Sequence, residues 1–276
     1  MKYIIGSIKN KKAEDVYIWA KSAAKFNKFK TILLVLDPVV DSSFSIIEQL
    51  GVRVVHIPTQ KDNNIDVSKY QRHLIVYEFL KSFDPQDIVL LTDTLDIVFQ
   101  DCPLTWYEKN GIRPLLLASE GLSIEKEPWN TARIRSAFPT FYNRVKDNDI
   151  FNVGVVLGEV SIIREFTYFI YALASTVPEE KNEGVDQPAA QICLATDTFK
   201  SKFEYTTSTG CFAVHSAVAG PTEQFTNWGF DRNYKYDLPT FDGENIVNKK
   251  QEPYCIVHQY NRIPDWDRFF KAKYAF

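Results

Sequence analysis

Asp87-Ile88-Val89-Leu90-Leu91-Thr92-Asp93-Thr94-Leu95-Asp96-Ile97-Val98-Phe99 is the stretch on which the fold turns. The apolar run Ile88 to Leu91 follows a polar turn, Phe83 to Asp87, and reads as a buried strand of a parallel sheet. At its carboxyl end the chain places Asp93 and Asp96, three apart across a turn. Ligands of open α/β sheets bind outside the carboxyl ends of strands. Two carboxylates there can share one hard divalent cation, Mn²⁺ or Mg²⁺, which takes octahedral oxygen ligands and often bridges carboxylates to phosphates. The same acids also suit an ordinary strand-end turn, where Asp caps and solvates. The spacing alone favours the turn. The rest of the chain shifts the balance toward a metal–diphosphate site.

Upstream, strands and helices alternate. Lys2 to Gly6 reads as a first strand ending in Gly6-Ser7. Small residues there let a ligand approach the backbone, or simply make a turn. Lys11 to Phe26 reads as a helix, with Val16, Trp19, Ala20, Ala23 and Ala24 on one face. Thr31 to Leu36 is a second strand, stopped by Asp37-Pro38. Ser42 to Leu50 is a short helix closed by Gly51, and Val52 to Ile57 a third strand. A polar connector, Gln60 to Ile65, leads to a helix over Val67 to Ser82. Its first turns carry Lys69, Gln71, Arg72 and His73, which can reach a phosphate or form a solvated face. This alternation is the signature of parallel βαβ units. No GxGxxG or GxxxxGK[ST] follows the first strand, so neither a dinucleotide fingerprint nor a P-loop is supported.

Downstream, Cys102-Pro103 opens a helix that ends at Asn110-Gly111. Leu115 to Ala118 is a buried strand with Ser119-Glu120-Gly121 at its carboxyl end. Glu125 to Asn148 reads as an excursion over the surface. Phe151 to Gly158 reads as one strand with glycines inside it, a sign of close approach by a ligand or another backbone. Ser161 to Ser175 is a long amphipathic helix, and Gly184 to Pro188 opens the next. Thr198 to Gly243 reads as a mixed, partly antiparallel lobe. Tyr254 to Val257 is a last strand, followed at once by His258-Gln259-Tyr260-Asn261-Arg262. Trp266 to Phe276 closes the chain as a packed helix, with a peripheral membrane or partner contact as the alternative.

Composition narrows the class. The 276 residues are 45% hydrophobic, enough for one substantial core. A net charge of -3 gives no basic excess for a nucleic-acid partner and no charge block for a disordered tail. No signal region opens the sequence and no uncharged stretch approaches membrane-spanning length. A cytoplasmic protein is the expectation. Cys102, Cys193, Cys211 and Cys255 show no metal or redox spacing and are expected as reduced, buried thiols.

Five landmarks together resemble the glycosyltransferase domain of the procollagen lysyl hydroxylase/glucosyltransferases and, more broadly, metal-dependent GT-A glycosyltransferases. They are Arg72 ahead of Ile88–Leu91 and Asp93-Thr94-Leu95-Asp96-Ile97-Val98; Ala118-Ser119-Glu120; Asn152-Val153-Gly154-Val155 before Leu157-Gly158; Val185-Asp186-Gln187; and Val257-His258-Gln259. Their order and spacing agree from Lys2 to about Arg262. The resemblance implies a single GT-A domain, Rossmann-like, with a mixed, mainly parallel sheet flanked by helices and a C-terminal lobe on the acceptor side. Residues 1–125 would form the nucleotide-sugar half and 126–276 the acceptor half.

The resemblance also implies a transferase that takes a UDP-sugar with Mn²⁺ (or Mg²⁺) held by Asp93, Asp96 and His258. Imidazole suits Mn²⁺ better than Mg²⁺. Gly6, Ser7, Lys69, Arg72, Thr92, Thr94 and Arg262 would line the donor site. Glu120, Asn152, Gly154 and Gln187 would meet the sugars. Asp186 is the catalytic candidate: it can hold sugar hydroxyls, stabilise oxocarbenium character or activate an acceptor hydroxyl, and it can equally cap its helix. The acceptor would be a saccharide, a glycolipid or a protein side chain, and retention of configuration follows from the family.

Departures from the family pattern are clear. Its aromatic between the aspartates is Leu95 here, its first Asp of Asp-Asp-Gln is Val185, and its helix lysine aligns near Tyr70. Arg262 is the nearest basic residue for the diphosphate. Nothing corresponds to the hydroxylase domains or points to collagen. A nucleotidyltransferase shares the sheet and acid pair, but the missing Gly-rich loop disfavours it. A non-catalytic nucleotide- or sugar-binding module would have no need of the whole Asp93/Asp96/His258/Asp186 set. The Asp-x-Asp of haloacid dehalogenases is one residue narrower than Asp93/Asp96.

Overall fold

A computed structural model describes residues 1–26, 28–36, 42–58, 70–111, 114–216 and 235–275. The chain runs β1 (Lys2–Ile8), α1 (Tyr17–Ala23), β2 (Lys30–Val35), α2 (Ser45–Gln49), β3 (Arg53–His56), α3 (Gln71–Leu80), β4 (Ile88–Thr92) and β5 (Ile97–Phe99). It continues with α4 (Pro103–Asn110), β6 (Leu115–Ser123), α5 (Pro128–Ala137), α6 (Tyr142–Val145), β7 (Asp149–Phe151), β8 (Val155–Glu159) and α7 (Val160–Ala174). Then come α8 (Asp186–Leu194), α9 (Asp197–Lys200), β9 (Phe203–Thr206), β10 (Ala213–His215), β11 (Thr240–Phe241), β12 (Ile246–Val247), β13 (Ile256–His258) and a C-terminal helix, Pro264–Lys273.

The central sheet has the order β3-β2-β1-β4-β8-β6-β7, with β9 paired to β6. Its first four strands are parallel. β8 lies antiparallel between β4 and β6, and β9 returns parallel to β6. This is a mixed, mostly parallel α/β sheet, as the alternating pattern leads one to expect. Successive strand residues serve opposite faces. Ile4, Leu33 and Leu90 pack with Trp19 and Ala23 of α1, Phe44, Ile47 of α2 and Leu104 of α4. Ile5, Leu34 and Val89 pack with Val76 of α3 and with Ile163, Phe166 and Ile170 of α7. α7 is helical because Val160, Ile163, Phe166, Thr167, Ile170 and Ala174 bury one stripe at three- and four-residue steps. A second sheet, β10-β13-β5, sits at the carboxyl end of β4 and shares a third core with Trp266 and Phe270 of the C-terminal helix.

Several elements differ from their expected form. The first helix is only Tyr17–Ala23, entered through a 3₁₀ turn at Ala13–Val16. The Phe151–Gly158 strand is broken at Asn152–Gly154 into β7 and β8. β6 runs through Ser119, Glu120 and Gly121 to Ser123, where Gly121 takes φ 76° at a register shift against β7. Those three residues are thus inside the strand, not beyond it. Glu125–Asn148 is no surface excursion. Glu127 caps α5 through bonds from Trp129 N and Asn130 N at 2.9 and 2.5 Å. Ile134, Tyr142 and Val145 then form a small core with Leu122, Ile124 and Ile150. His258 is the last residue of β13 rather than the first after it. In the 198–243 lobe, β9 joins the central sheet in parallel and β10 the second sheet. The connector Gln60–Ile65, Asp37-Pro38 and Lys69 lie outside the described residues.

The C-terminal helix buries Trp266 and Phe270, so its apolar face packs on the fold. No described helix is long and apolar enough to cross a membrane. All four cysteines are free; Cys102, Cys193 and Cys255 are buried, whereas Cys211 is partly exposed and donates to Glu252 at 3.2 Å.

Candidate active site

β4 ends at Thr92, whose hydroxyl accepts the indole N–H of buried Trp19 at 2.8 Å. That bond ties α1 to the strand end. Thr94 donates to the Ser7 carbonyl at 3.2 Å, fixing the turn to β1. Gly6 has a packing reason to be glycine: a Cβ there would meet Thr94 Cγ2 at 2.3 Å and Trp19 Cζ2 at 2.8 Å. Between these anchors the Asp93 N–H donates to the Gly154 carbonyl at 2.9 Å. The Asp96 carbonyl accepts the N–H of Gln259 at 2.7 Å, with Gln259 left-handed at φ 63°.

These bonds bring both aspartates to His258. Its Nε2 lies 3.5 Å from Asp93 Oδ2 and 3.4 Å from Asp96 Oδ1. One ligand atom from each of the three side chains falls within 4.8 Å of the others. The imidazole is 1% exposed, and its Nε2 has no hydrogen-bond partner. Gly154 closes the cradle: a Cβ would stand 2.4 Å from His258 Cε1 and 2.8 Å from Asp93 Oδ2. Burial works against charge on His258, but Asp96 and Asp93 overcome it and lift the imidazole to about 9. A buried nitrogen facing two carboxylates, with the space kept clear by a glycine, fits a divalent cation with mixed oxygen and imidazole ligands.

Arg72, from the first turn of α3, reaches Asp93 Oδ1 at 2.7 Å and Asp186 Oδ2 at 3.2 Å. Burial would raise the Asp93 carboxyl, yet Arg72 and His258 hold it well below the usual carboxylate range. Asp186 opens α8, nine-residue and buried throughout. Burial pushes it up, but His73, 3.6 Å away, and Arg72 bring it down to about 2. Asp186 is therefore an ionised acceptor and a poor proton abstractor. No side-chain cap bond forms at the start of α8, so capping does not explain Asp186.

Glu120 accepts from Asn152 Nδ2 at 2.6 Å, and Asn152 Oδ1 in turn accepts the Gly154 N–H at 2.7 Å. Gln187 binds the same bend from the other side, accepting Val153 N–H at 3.2 Å and donating to the Phe151 carbonyl at 2.9 Å. These polar groups hold the break between β7 and β8 in shape.

A cleft of about 530 Å³ unites the set. Ser7, Arg72, Asp93, Thr94, Asp96, Glu120, Asn152, Asp186, Gln187, His258 and Arg262 all line it. Gly6 and Thr92 line a small adjoining cavity instead. Gly154 acts by its lack of a side chain. Leu95 lines the cleft and is 42% exposed. Sequence reasoning missed Glu127, Trp129, Asn130 and Gln259 as lining residues; His73, read as able to reach a phosphate or sit on a solvated face, is buried 3.6 Å from Asp186 instead. Trp129 stands 38% exposed on the wall beside Gly184. A lone tryptophan after a proline carries no motif, so only the fold brings it forward.

The solved structures that resemble this one include the galactosyltransferase LgtC in complex with donor and acceptor sugar analogues. The match has a TM-score of 0.54 and 14% identity over 94% of this chain and 86% of that one. An active-site mutant of LgtC matches at 0.53 and 14% over the same shares. The fold is that of a GT-A glycosyltransferase. No family model and no curated protein matches the sequence. Of what the motifs' resemblance implies, the match bears out the GT-A fold and gives no support to the procollagen lysyl hydroxylase-like level. In the GT-A frame the acid pair stands at the strand end where such a sheet receives its ligand.

Proposed function

We propose that this protein is a metal-dependent glycosyltransferase that moves a sugar from a UDP-sugar to a saccharide, glycolipid or protein hydroxyl, with retention of configuration. One observation carries the reading: Asp93, Asp96 and His258 converge, with an unpartnered buried Nε2, in a large cleft of a GT-A fold. Asp93, Asp96 and His258 would hold the cation, Mn²⁺ in preference to Mg²⁺ because one ligand is an imidazole. When bound, the cation would neutralise charge growing on the leaving diphosphate.

The other roles follow from the side chains. Arg72 and Arg262 supply positive charge for the phosphates, and Lys69 remains a donor-site candidate. Ser7 and Thr94 bound the nucleotide end. Asp186, held ionised, accepts hydroxyls of the donor sugar and stabilises positive charge at the anomeric carbon. Its resistance to protonation makes it unsuited to deprotonating an acceptor. Glu120 and Asn152 orient the sugars as a bonded pair, and Gln187 keeps the bend beneath them.

Calorimetric titration of UDP in Mn²⁺, repeated in EDTA, tests the reading. Binding in Mn²⁺ that disappears in EDTA is expected, together with slow metal-dependent release of UDP from a UDP-sugar. Equal binding in both conditions would remove the metal from the site, and no binding in either would overturn the donor class.

A further inference from the structure

We infer that His215 is a positioning residue for His258: it accepts the His258 Nδ1–H and so turns Nε2 toward a cation, which takes the place of the Nε2 proton on binding. The inference rests on the metal reading proposed above.

β10 and β13 are parallel neighbours, and their register sets His215 directly beside His258. The two Nδ1 atoms are 2.9 Å apart, the ring planes cross at 80°, and each residue is 1% exposed. At that distance one nitrogen donates and the other accepts. The far nitrogen of His258 faces Asp93 and Asp96 at 3.5 and 3.4 Å. An Nε2 that gives its lone pair to a metal must leave the ring proton on Nδ1. His258 is then the donor of the pair, and His215 receives the proton's hydrogen bond on its own Nδ1. Its proton therefore sits on Nε2, a buried nitrogen with no hydrogen-bond partner among the described residues.

Metal-bound histidines commonly donate their second N–H to a carboxylate, a carbonyl or water. Here a neutral imidazole takes that place. The consequence is electrostatic: orientation is fixed without a third negative charge. Two carboxylates balance a divalent cation, and the site keeps its attraction for an anionic diphosphate. A carboxylate in place of His215 would spend part of that attraction.

The experiment compares His215→Phe with His215→Asn. Phenylalanine keeps the ring's bulk and loses the acceptor. Asparagine loses bulk and can place Oδ1 where Nδ1 was. Mn²⁺ affinity is read from the loss of the free-ion EPR signal. Phe is expected to weaken Mn²⁺ binding about 10- to 100-fold, while Asn stays within about threefold of wild type. A packing role would give the reverse order, and undiminished affinity in His215→Phe would overturn the inference alone. No Mn²⁺ uptake by the wild-type protein would overturn the metal reading, and the inference with it. Long-range ¹H–¹⁵N spectra of the wild-type imidazoles, recorded with diamagnetic Mg²⁺, give a second reading that needs no variant. His215 should be the Nε2–H tautomer; a proton on its Nδ1 would overturn the assignment.

Discussion

Gly154 shows how much one missing side chain can decide. Its would-be Cβ overlaps both His258 and Asp93; the buried His258 ring in β13 has no room to retreat, and Asp93 can clear the methyl only by turning its carboxylate away from the shared position. Interiors packed this closely transmit a methyl group as strain or displacement. Gly154→Ala is therefore expected to weaken Mn²⁺-dependent UDP binding at least tenfold by calorimetry, at a stability cost of about 1–3 kcal/mol. Wild-type affinity would mean that the three side chains do not share a ligand. Asp186→Asn tests the other end of the cleft. Asparagine keeps the shape and loses the charge, so UDP affinity should stay within a few-fold. UDP release from a UDP-sugar should fall by about 10²–10³, and unchanged turnover would take Asp186 out of the mechanism. At this scale the sequence was informative where residue types came in ordered sets. Asp93, Asp96, Asp186 and His258 were legible that way, and the structure brings them together. His215 was not, because it reaches the site through strand register and belongs to no spacing; His73 was read with the basic residues of its helix, and burial beside Asp186 gives it another setting. Gly6 was read as room for a ligand; its neighbours give it a packing duty instead.

Among the elements, α1 and β4 are joined by the Trp19–Thr92 hydrogen bond inside the apolar core, one residue before the acid turn. Trp19→Phe removes that N–H and part of a fully buried ring. Its expected cost is about 2–4 kcal/mol by urea unfolding, with β4's end, and hence UDP affinity, affected more than by a core truncation of equal cost away from the acid turn, such as Phe44→Leu. Equal effects on affinity would show that the bond does not position the turn. β1 to β4 were readable because each is a short apolar run closed by a turn residue, with helices of period 3.6 between them. The direction of β8 was not readable, since an apolar run carries no mark of polarity and β8 is buried like its parallel neighbours. The Glu125–Asn148 region was misread for a related reason. Its helices are short and mostly polar, and they bury only a few residues each against a separate small core. The extension of β6 was hidden by Gly121, which looks like a terminator and in fact sits at a register shift.

Across the whole molecule, the three proposed ligands come from two sheets. Asp93 follows β4 of the central sheet, whereas Asp96 leads into β5 and His258 ends β13, both strands of the smaller sheet. A cation held by all three would fasten one sheet to the other, as a rivet joins two plates. Ligand binding to the native state alone adds about 2.7 kcal/mol at a hundredfold excess over Kd, and that gain should fall unevenly. Amide exchange at 213–215 and 256–258 should slow on adding Mn²⁺ by more than exchange in the outer strands β2 and β3. Uniform protection would speak for a site that does not bridge the sheets. The split has a further consequence for how such a protein can change over time. The smaller sheet carries one half of the grip and packs on the C-terminal helix, so substitutions far from the cleft, at Trp266 or Phe270, can detune metal affinity without touching a ligand. Drift in metal affinity can thus begin in the C-terminal helix, in residues that no inspection of the cleft would single out.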